Sequence, residues 1–412
     1  MIARLRHTFA AYPPQFWLIV FGVMFSSIGS SIIWPFQLIY ISHTLDRPLT
    51  ATATLITISS AIGLTVSFLG GSLADRFGRK PIMVLALTGH SLAYILMSRA
   101  NSYPAFLLPM SIMGAAMPFY AVGSDAMMAD LLTPPKRPGG YSILRMMNNA
   151  GIAIGPVIGG LLVTRSYALA FYAAAAGMLT YALLLLVFAR ETLHRAPQGE
   201  TTESFAQNLL GFGQVFRDRT FIVFVAATAF GLIAPLMMWT LLAVYTNTYF
   251  GLPEDLYAWL PVTNALMCVF VQYFVTLVTR RFRPILMIAA GMLVYAVGVG
   301  SVGVMSGFWG FWTSMVIMTL GELILMPTGT TYAANRAPEA MRGRYMSIYW
   351  LTWGLARAAA PMIGGFLHDQ IAPVAIWYGG LAFGLLSALV LFALATRQDD
   401  LAPSKGRSAP SV

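Results

Sequence analysis

The sequence predicts an all-α integral membrane protein, with twelve transmembrane helices arranged as two pseudo-symmetric six-helix bundles. Three observations predict it. Of 412 residues, 58% are hydrophobic and only 10% charged, with a mean hydropathy of +0.72, whereas a soluble domain carries about 25% charged residues. Apolar runs recur along the whole chain at the roughly 20-residue length that a bilayer requires. Part of the second half also repeats part of the first.

The apolar runs, bounded by charge, Pro and Gly, fall at about 15–40, 50–73, 81–99, 104–129, 141–164 and 168–189, here spans 1 to 6. Spans 7 to 12 follow at about 219–246, 257–279, 284–305, 309–334, 345–367 and 373–396. Runs this apolar must be helical, because lipid offers no partner to an open backbone. The basic N-terminus ahead of Phe16 lacks a small-residue cleavage site and leads straight into further spans, so it reads as an uncleaved first helix. The single cysteine, Cys268, rules out an internal disulfide.

Lys and Arg alternate in abundance from loop to loop. Of the 25, 20 fall on the side of the membrane that holds the N-terminus, three (Arg47, Arg99 and Arg165) on the opposite side, and two (Arg145 and Arg357) within spans. This asymmetry places both termini in the cytoplasm. It also explains the net charge of +10 through the lipid bilayer, without a nucleic-acid partner.

The chain divides into an N-terminal bundle (1–190), a cytoplasmic linker (191–218), a C-terminal bundle (219–396) and a disordered cytoplasmic tail (397–412). In the linker region Phe205, Leu209, Phe212 and Phe216 recur on one helical face, as in an amphipathic helix lying on the membrane surface. The two bundles share a register. Residues 130–160 align without a gap on 335–365, matching Arg137 with Arg342, Ser142–Ile143 with Ser347–Ile348, and Pro156, Ile158, Gly159 and Gly160 with Pro361, Ile363, Gly364 and Gly365. Parallel six-span repeats with a binding site between them are a transporter design.

Between spans 2 and 3 lies "GGSLADRFGRKP", with Gly71 and Gly78 permitting a tight turn and Asp75, Arg76, Arg79 and Lys80 placing charges at the membrane surface. This loop resembles the "G-x-L-x-D-R-x-G-R-K" signature of the major facilitator superfamily, and the span count and central linker extend the resemblance over essentially the whole chain. Span 5 carries "NAGIAIGPVIGG", whose Gly151, Gly155, Pro156, Gly159 and Gly160 resemble the motif of that superfamily's proton-driven antiporters. Small residues there permit close helix packing, and the proline introduces a kink. "LGELILMP" in span 10 is similar to twelve-span bacterial multidrug/proton antiporters. Span 4 departs from them, with Met110 and Ser111 where many carry a buried arginine.

The resemblance implies the major facilitator fold in a bacterial inner membrane, working by alternating access. It further implies that Arg79 pairs with Asp130 and that Asp75 meets the N-terminal end of span 11. These would be gating contacts that hold one side shut.

Charges inside spans carry the chemistry. A carboxylate at mid-membrane costs on the order of 3 kcal/mol, so it is retained where it is paired, wet or titrating. Glu322 in span 10 and Arg357 in span 11 lie at similar mid-depth. Either they form a fixed ion pair, or Glu322 faces a cavity and exchanges protons with substrate. Asp125 in span 4 and Arg145 in span 5 likewise share a depth, making Asp125 a second proton-coupling candidate and Arg145 its partner. Met117, Met238, Trp239, Asn148 and Asn264 are candidate cavity residues, since Met and aromatic walls adapt to varied apolar ligands. His90 in span 3 reads as a packed core histidine.

No nucleophile elbow, metal-ligand cluster or "GxxxxGK[ST]" appears, so neither catalysis nor ATP-driven pumping is expected, and no cofactor beyond protons. The expectation is a monomeric proton-coupled exporter of small amphipathic organic compounds. The alternatives are an exporter or flippase of a lipid-like or anionic metabolite, with Arg357 as the anion's partner, and a transport-inactive receptor or scaffold.

Overall fold

A computed structural model describes residues 12–193, 213–338 and 341–397. The amphipathic face expected at Phe205, Leu209 and Phe212, and the tail from 398, lie outside the described residues. Every described span is helical, and no strand occurs among the described residues.

Each of the twelve expected spans is present. The first half comprises Pro14–Ile33 continued by Gln37–Leu45, then Leu49–Phe77, Arg79–Met97, Tyr103–Leu131, Arg137–Val163 and Tyr167–Phe188. The second comprises Arg219–Phe250, a broken span 8, Pro284–Ser301, Gly307–Arg336, Arg342–Gln370 and Ala375–Arg397. Local chemistry sets the ends. Pro14 and Pro284 open their helices at positions where the missing N–H is not needed. The Ser166 hydroxyl caps span 6 by accepting from the Ala168 amide at 3.2 Å. Pro35 interrupts span 1 between Ile33 and Gln37 because it can neither donate nor avoid the preceding turn.

Span 8 breaks at Val271, where its two segments bend by 55°. Ten described helices are individually long and apolar enough to cross a membrane, and the bent pair makes eleven. Span 11 is 29 residues long but contains Arg342, Arg344, Arg357 and Asp369, which dilute its apolar character.

The helices form two compact units. The first takes in the described part of Met1–Gly199 together with Trp239–Leu266 and Pro361–Asp369. The second takes in the described part of Glu200–Met238, Met267–Ala360 and Gln370–Val412. The unit boundaries thus run through spans 7, 8 and 11 rather than along the linker.

In the first unit, span 1 packs on spans 5 and 6, span 3 on spans 4 and 6, and span 2 on span 4. Small residues make these approaches possible where lipid removes the hydrophobic drive. A Cβ on Gly151 or Gly155 would stand 2.5 Å from the Cβ of Ser27 or Ser31 of span 1. Gly63 and Gly114 seam spans 2 and 4 in the same way, as Gly29 and Gly177 seam spans 1 and 6. In the second unit, span 9 packs on spans 10 and 12, with Gly291 and Gly298 against span 10.

Candidate functional site

Three polar assemblies stand out from the apolar helices. The first surrounds the loop between spans 2 and 3. Phe77 ends one helix and Arg79 begins the next, so a single residue must reverse the chain. Gly78 does so at φ +98°, and a Cβ there would also meet a Glu191 carboxylate oxygen at 2.5 Å. No other residue type fits both conditions.

Glu191, just beyond span 6, accepts from the backbone amides of Arg79 and Lys80 at 3.1 and 3.0 Å. It thereby caps the positive end of span 3. Burial pushes its carboxyl pKa up, but four backbone N–H donors (Leu193, Arg79, Lys80 and Thr192) outweigh that and hold it below the usual glutamate value. Lys80 Nζ donates to the carbonyls of Leu186 and Ala189 at 2.9 and 2.8 Å, closing the C-terminal end of span 6. Arg79 Nε lies 2.9 Å from Asp130 Oδ2, which also accepts from the Thr192 hydroxyl at 2.8 Å. Arg76 lies over the Phe77 ring. The side chains at Gly71 and Asp75 lie outside the described set, and so does the expected contact of Asp75 with span 11. Sequence reading missed Glu191 because a charge after a span reads as an ordinary membrane-surface residue.

The second assembly is a clasp within the first unit, at the helix ends remote from the chain termini. Asp369, in the last turn of span 11, accepts from the Leu49 and Thr50 amides at 3.2 and 2.8 Å and from the Thr50 hydroxyl at 2.6 Å. It is the cap of span 2 supplied from a distant helix. His368 Nδ1 lies 2.7 Å from Asp369 Oδ1, and the Tyr249 hydroxyl lies 2.7 Å from His368 Nε2. Close by in topology, the Tyr167 hydroxyl donates to Glu254 Oε1 at 2.8 Å. Gly160 packs against the backbone of Glu254 and Asp255. The clasp explains why the ends of spans 7, 8 and 11 cluster with the first-half helices.

The third assembly is intramembrane. In the second unit, the fully buried Tyr295 of span 9 hydrogen-bonds the Glu322 side chain, with Cys268 within electrostatic reach. Gln272 donates to the Leu323 carbonyl at 3.0 Å, tying span 8 to span 10 beside that carboxylate. The expected ion pairs are corrected here. Arg357 forms no ion pair or side-chain hydrogen bond among the described residues, and neither do Arg145 or the Asp125 carboxylate. Equal depth does not put two side chains on facing sides of their helices. Tyr141 hydrogen-bonds Asp125 only at its backbone carbonyl, at 3.2 Å.

In the first unit, spans 1, 3, 4, 5 and 6 line a partly open cavity of about 100 Å³ whose lining includes Ser27, His90, Met117, Tyr120 and Asn148. It brings together two of the expected cavity residues, Met117 and Asn148. Trp239 instead lies against Trp34 in a tilted ring contact at 5.6 Å, and Asn264 is buried. Met238, expected on a cavity wall, is wholly buried, where its flexible side chain fills a helix contact.

At the membrane surface of the second unit, a further charge cluster went unread in the sequence. Arg336 at the end of span 10 grips Asp218 with two hydrogen bonds of 2.9 Å, while Asp218 caps span 7 at the Phe221 amide, 3.1 Å away.

Apolar helices of membrane-spanning length, charged groups at their ends and a carboxylate in the middle of one of them define the class of the protein: a multi-pass transporter. The model of the Major Facilitator Superfamily matches residues 19–361 and 232–411, and the chain belongs to that family. It is 24% identical over 400 residues to the Na(+), Li(+), K(+)/H(+) antiporter of Planococcus maritimus, covering 90% of this chain and 92% of that one. Over 301 residues it is 24% identical to Multidrug resistance protein MdtH of Escherichia coli (strain K12 / DH10B), covering 73% of each. Among solved structures, a peptide transporter POT in complex with sulfate superposes with a TM-score of 0.78 at 18% identity, over 93% of this chain and 95% of that one. That likeness shows the shared fold.

Proposed function

We propose that the protein is a proton-coupled antiporter that exports small amphipathic organic compounds, cationic or neutral, by alternating access. The observation that carries the reading is Glu322, a carboxylate in the middle of an apolar helix whose side chain is held by the neutral phenol of Tyr295. Arg357 is not its partner. A carboxylate not locked to that arginine can bind a proton or a cationic substrate, but not both, and this exclusion is the physical root of antiport. Asp125 is the second proton-coupling candidate. The names of two relatives, a cation/proton antiporter and a multidrug resistance protein, support the same reading. In it the protein works as a monomer in the bacterial inner membrane, both termini cytoplasmic, with protons as the only coupling species.

The test is efflux of a fluorescent lipophilic cation from energised vesicles under an imposed pH gradient, wild type beside Glu322→Gln. Gradient-driven efflux that disappears in the glutamine variant supports the reading. Equal efflux in both removes Glu322 from the coupling. One observation favours a second reading: Arg357, in mid-span and without a partner among the described residues, suits an anionic or lipid-like substrate. Protection of the purified protein by anions but not by lipophilic cations selects that reading.

A further inference from the structure

His90 is 5% exposed, and its Nε2 is buried without a hydrogen-bond partner among the described residues. A packed neutral histidine ordinarily satisfies its ring nitrogens from the protein. Here the ring instead lines the cavity of about 100 Å³ in the first unit. That space has room for several waters, and although most of its wall is apolar, polar side chains reach it from four helices. Ser26, Ser27 and Ser30 of span 1, Tyr120 of span 4 and Asn148 of span 5 all line it.

The serine hydroxyls spend their protons on the protein. Ser26 donates to the Val23 carbonyl at 3.0 Å, Ser30 to the Ser27 carbonyl at 3.2 Å, and Ser27 to Asn148 Oδ1. Their oxygen lone pairs are left as acceptors for whatever the cavity contains. The walls therefore suit a donor-rich guest, and the unpartnered ring nitrogen suits a guest that can give up a proton.

We propose that this cavity is a hydrated proton-holding site in which His90 takes up the proton. The Tyr120 hydroxyl on the same wall is likewise buried without a hydrogen-bond partner among the described residues. The step moves only a proton: a hydronium in the cavity gives H⁺ to the free ring nitrogen and remains as water. The imidazolium then donates to cavity water, which the serine oxygens accept in turn. The titratable groups facing the ring are Tyr94 on its own helix, with ring centroids 4.8 Å apart and tilted by 42°, and Tyr120 from span 4, backed by Tyr181 of span 6. The cavity-lining residues of spans 1 and 5 bring none. The site is separate from Glu322, and its test needs no transport substrate.

Gly89–His90 is the sequence's single Gly–His pair among five histidines, so glycine carbonyl ¹³C with histidine ¹⁵N labelling assigns this ring in the unmodified full chain. A dry buried imidazole stays neutral; in lipid nanodiscs the hydrated His90 ring is expected instead to change from the neutral to the doubly protonated pattern between about pH 8 and about pH 5, with a cross-peak to water protons throughout. A ring that stays neutral and dry at about pH 5, while other histidines in the same sample titrate, overturns the proposal. Filling the cavity with Ser30→Leu is expected to abolish both the water contact and the titration. Titration unchanged in that variant also overturns it, because the cavity would then not be what admits the proton.

Discussion

Asp369 offers the sharpest test of how the first unit is held. Its carboxylate caps span 2 through two backbone amides and takes the Thr50 hydroxyl at 2.6 Å. Replacing it with alanine removes a helix cap, worth about 1 kcal/mol, and a charge-assisted hydrogen bond, worth about 1.5 kcal/mol. The sum of about 2–3 kcal/mol corresponds to a roughly 30- to 150-fold rise in the population with the clasp open. Asp369→Asn keeps the acceptor and loses only the charge, so its effect is expected near about 1 kcal/mol, or roughly five-fold.

A reporter exists in the same unit. Ala258 is 1% exposed and lies 3.3 Å from where a Cβ on Gly160 would stand, so Ala258→Cys is reached only when span 8 separates from span 5. The labelling rate with a membrane-impermeant maleimide is read in a Cys268→Ser background, which removes the one native thiol. Ranked rates, alanine above asparagine above wild type, are expected. If Asp369→Ala elutes as a folded species and labels at the wild-type rate, the clasp does not hold these helix ends together and the reasoning fails.

Three further outcomes follow from the packing. Gly155→Leu drives a side chain into Ser31 Cβ and the Ile28 carbonyl, 2.5 and 2.8 Å from its first atom, and is expected to cost about 3 kcal/mol or more through overpacking; fluorescence-detected size-exclusion after heating reads the loss. Arg79→Ala breaks the 2.9 Å pair with Asp130 and is expected to lower stability by about 1–2 kcal/mol, whereas a variant as thermostable as wild type removes the pair from the account. For pH, burial pushes the Asp218 carboxyl up, but Arg336 and the Phe221 amide hold it below the ordinary aspartate value, and Glu191 is likewise lowered. A lowered carboxylate contributes stability above its unfolded pKa and loses it as pH falls through the folded value. Thermal stability is therefore expected to be flat above about pH 5 and to fall in stronger acid; Asp218→Asn should blunt that fall.

Much of the fold was legible because lipid removes choices. A run such as 284–305 can only be a helix there, and alternating loop charge orders the runs. The Gly78 turn was legible as a motif, though its partner Glu191 was not, because a carboxylate 113 positions away meets the turn only after spans 3 and 6 have packed. Asp369 and Thr50 present the same difficulty across 319 positions. The intramembrane pairs failed for another reason. Counting residues from a span's end gives depth, but azimuth depends on which neighbour a helix packs against. Glu322 and Arg357 share the first coordinate and not the second. His90 reads as a core residue and is buried, but nothing in its neighbours along the chain reveals the serines of span 1 that line the same cavity.

The carboxylates sort by what they meet. Asp130, Glu191, Asp218, Glu254 and Asp369 each hold a named helix end, arginine or hydroxyl near the membrane surface. At Glu191, Asp218 and Asp369 those bonds favour the charged form. Asp125 and Glu322 differ. The Asp125 carboxylate takes no hydrogen bond or ion pair among the described residues, and the Glu322 side chain is held by a phenol. A group that must lose and regain a proton in each cycle cannot be pinned by a permanent cation, since the pair would have to be broken every time. The proposed proton-driven cycle would use those two carboxylates and leave the capped ones in place. The Glu322→Gln efflux experiment and the His90 titration probe the two bundles independently.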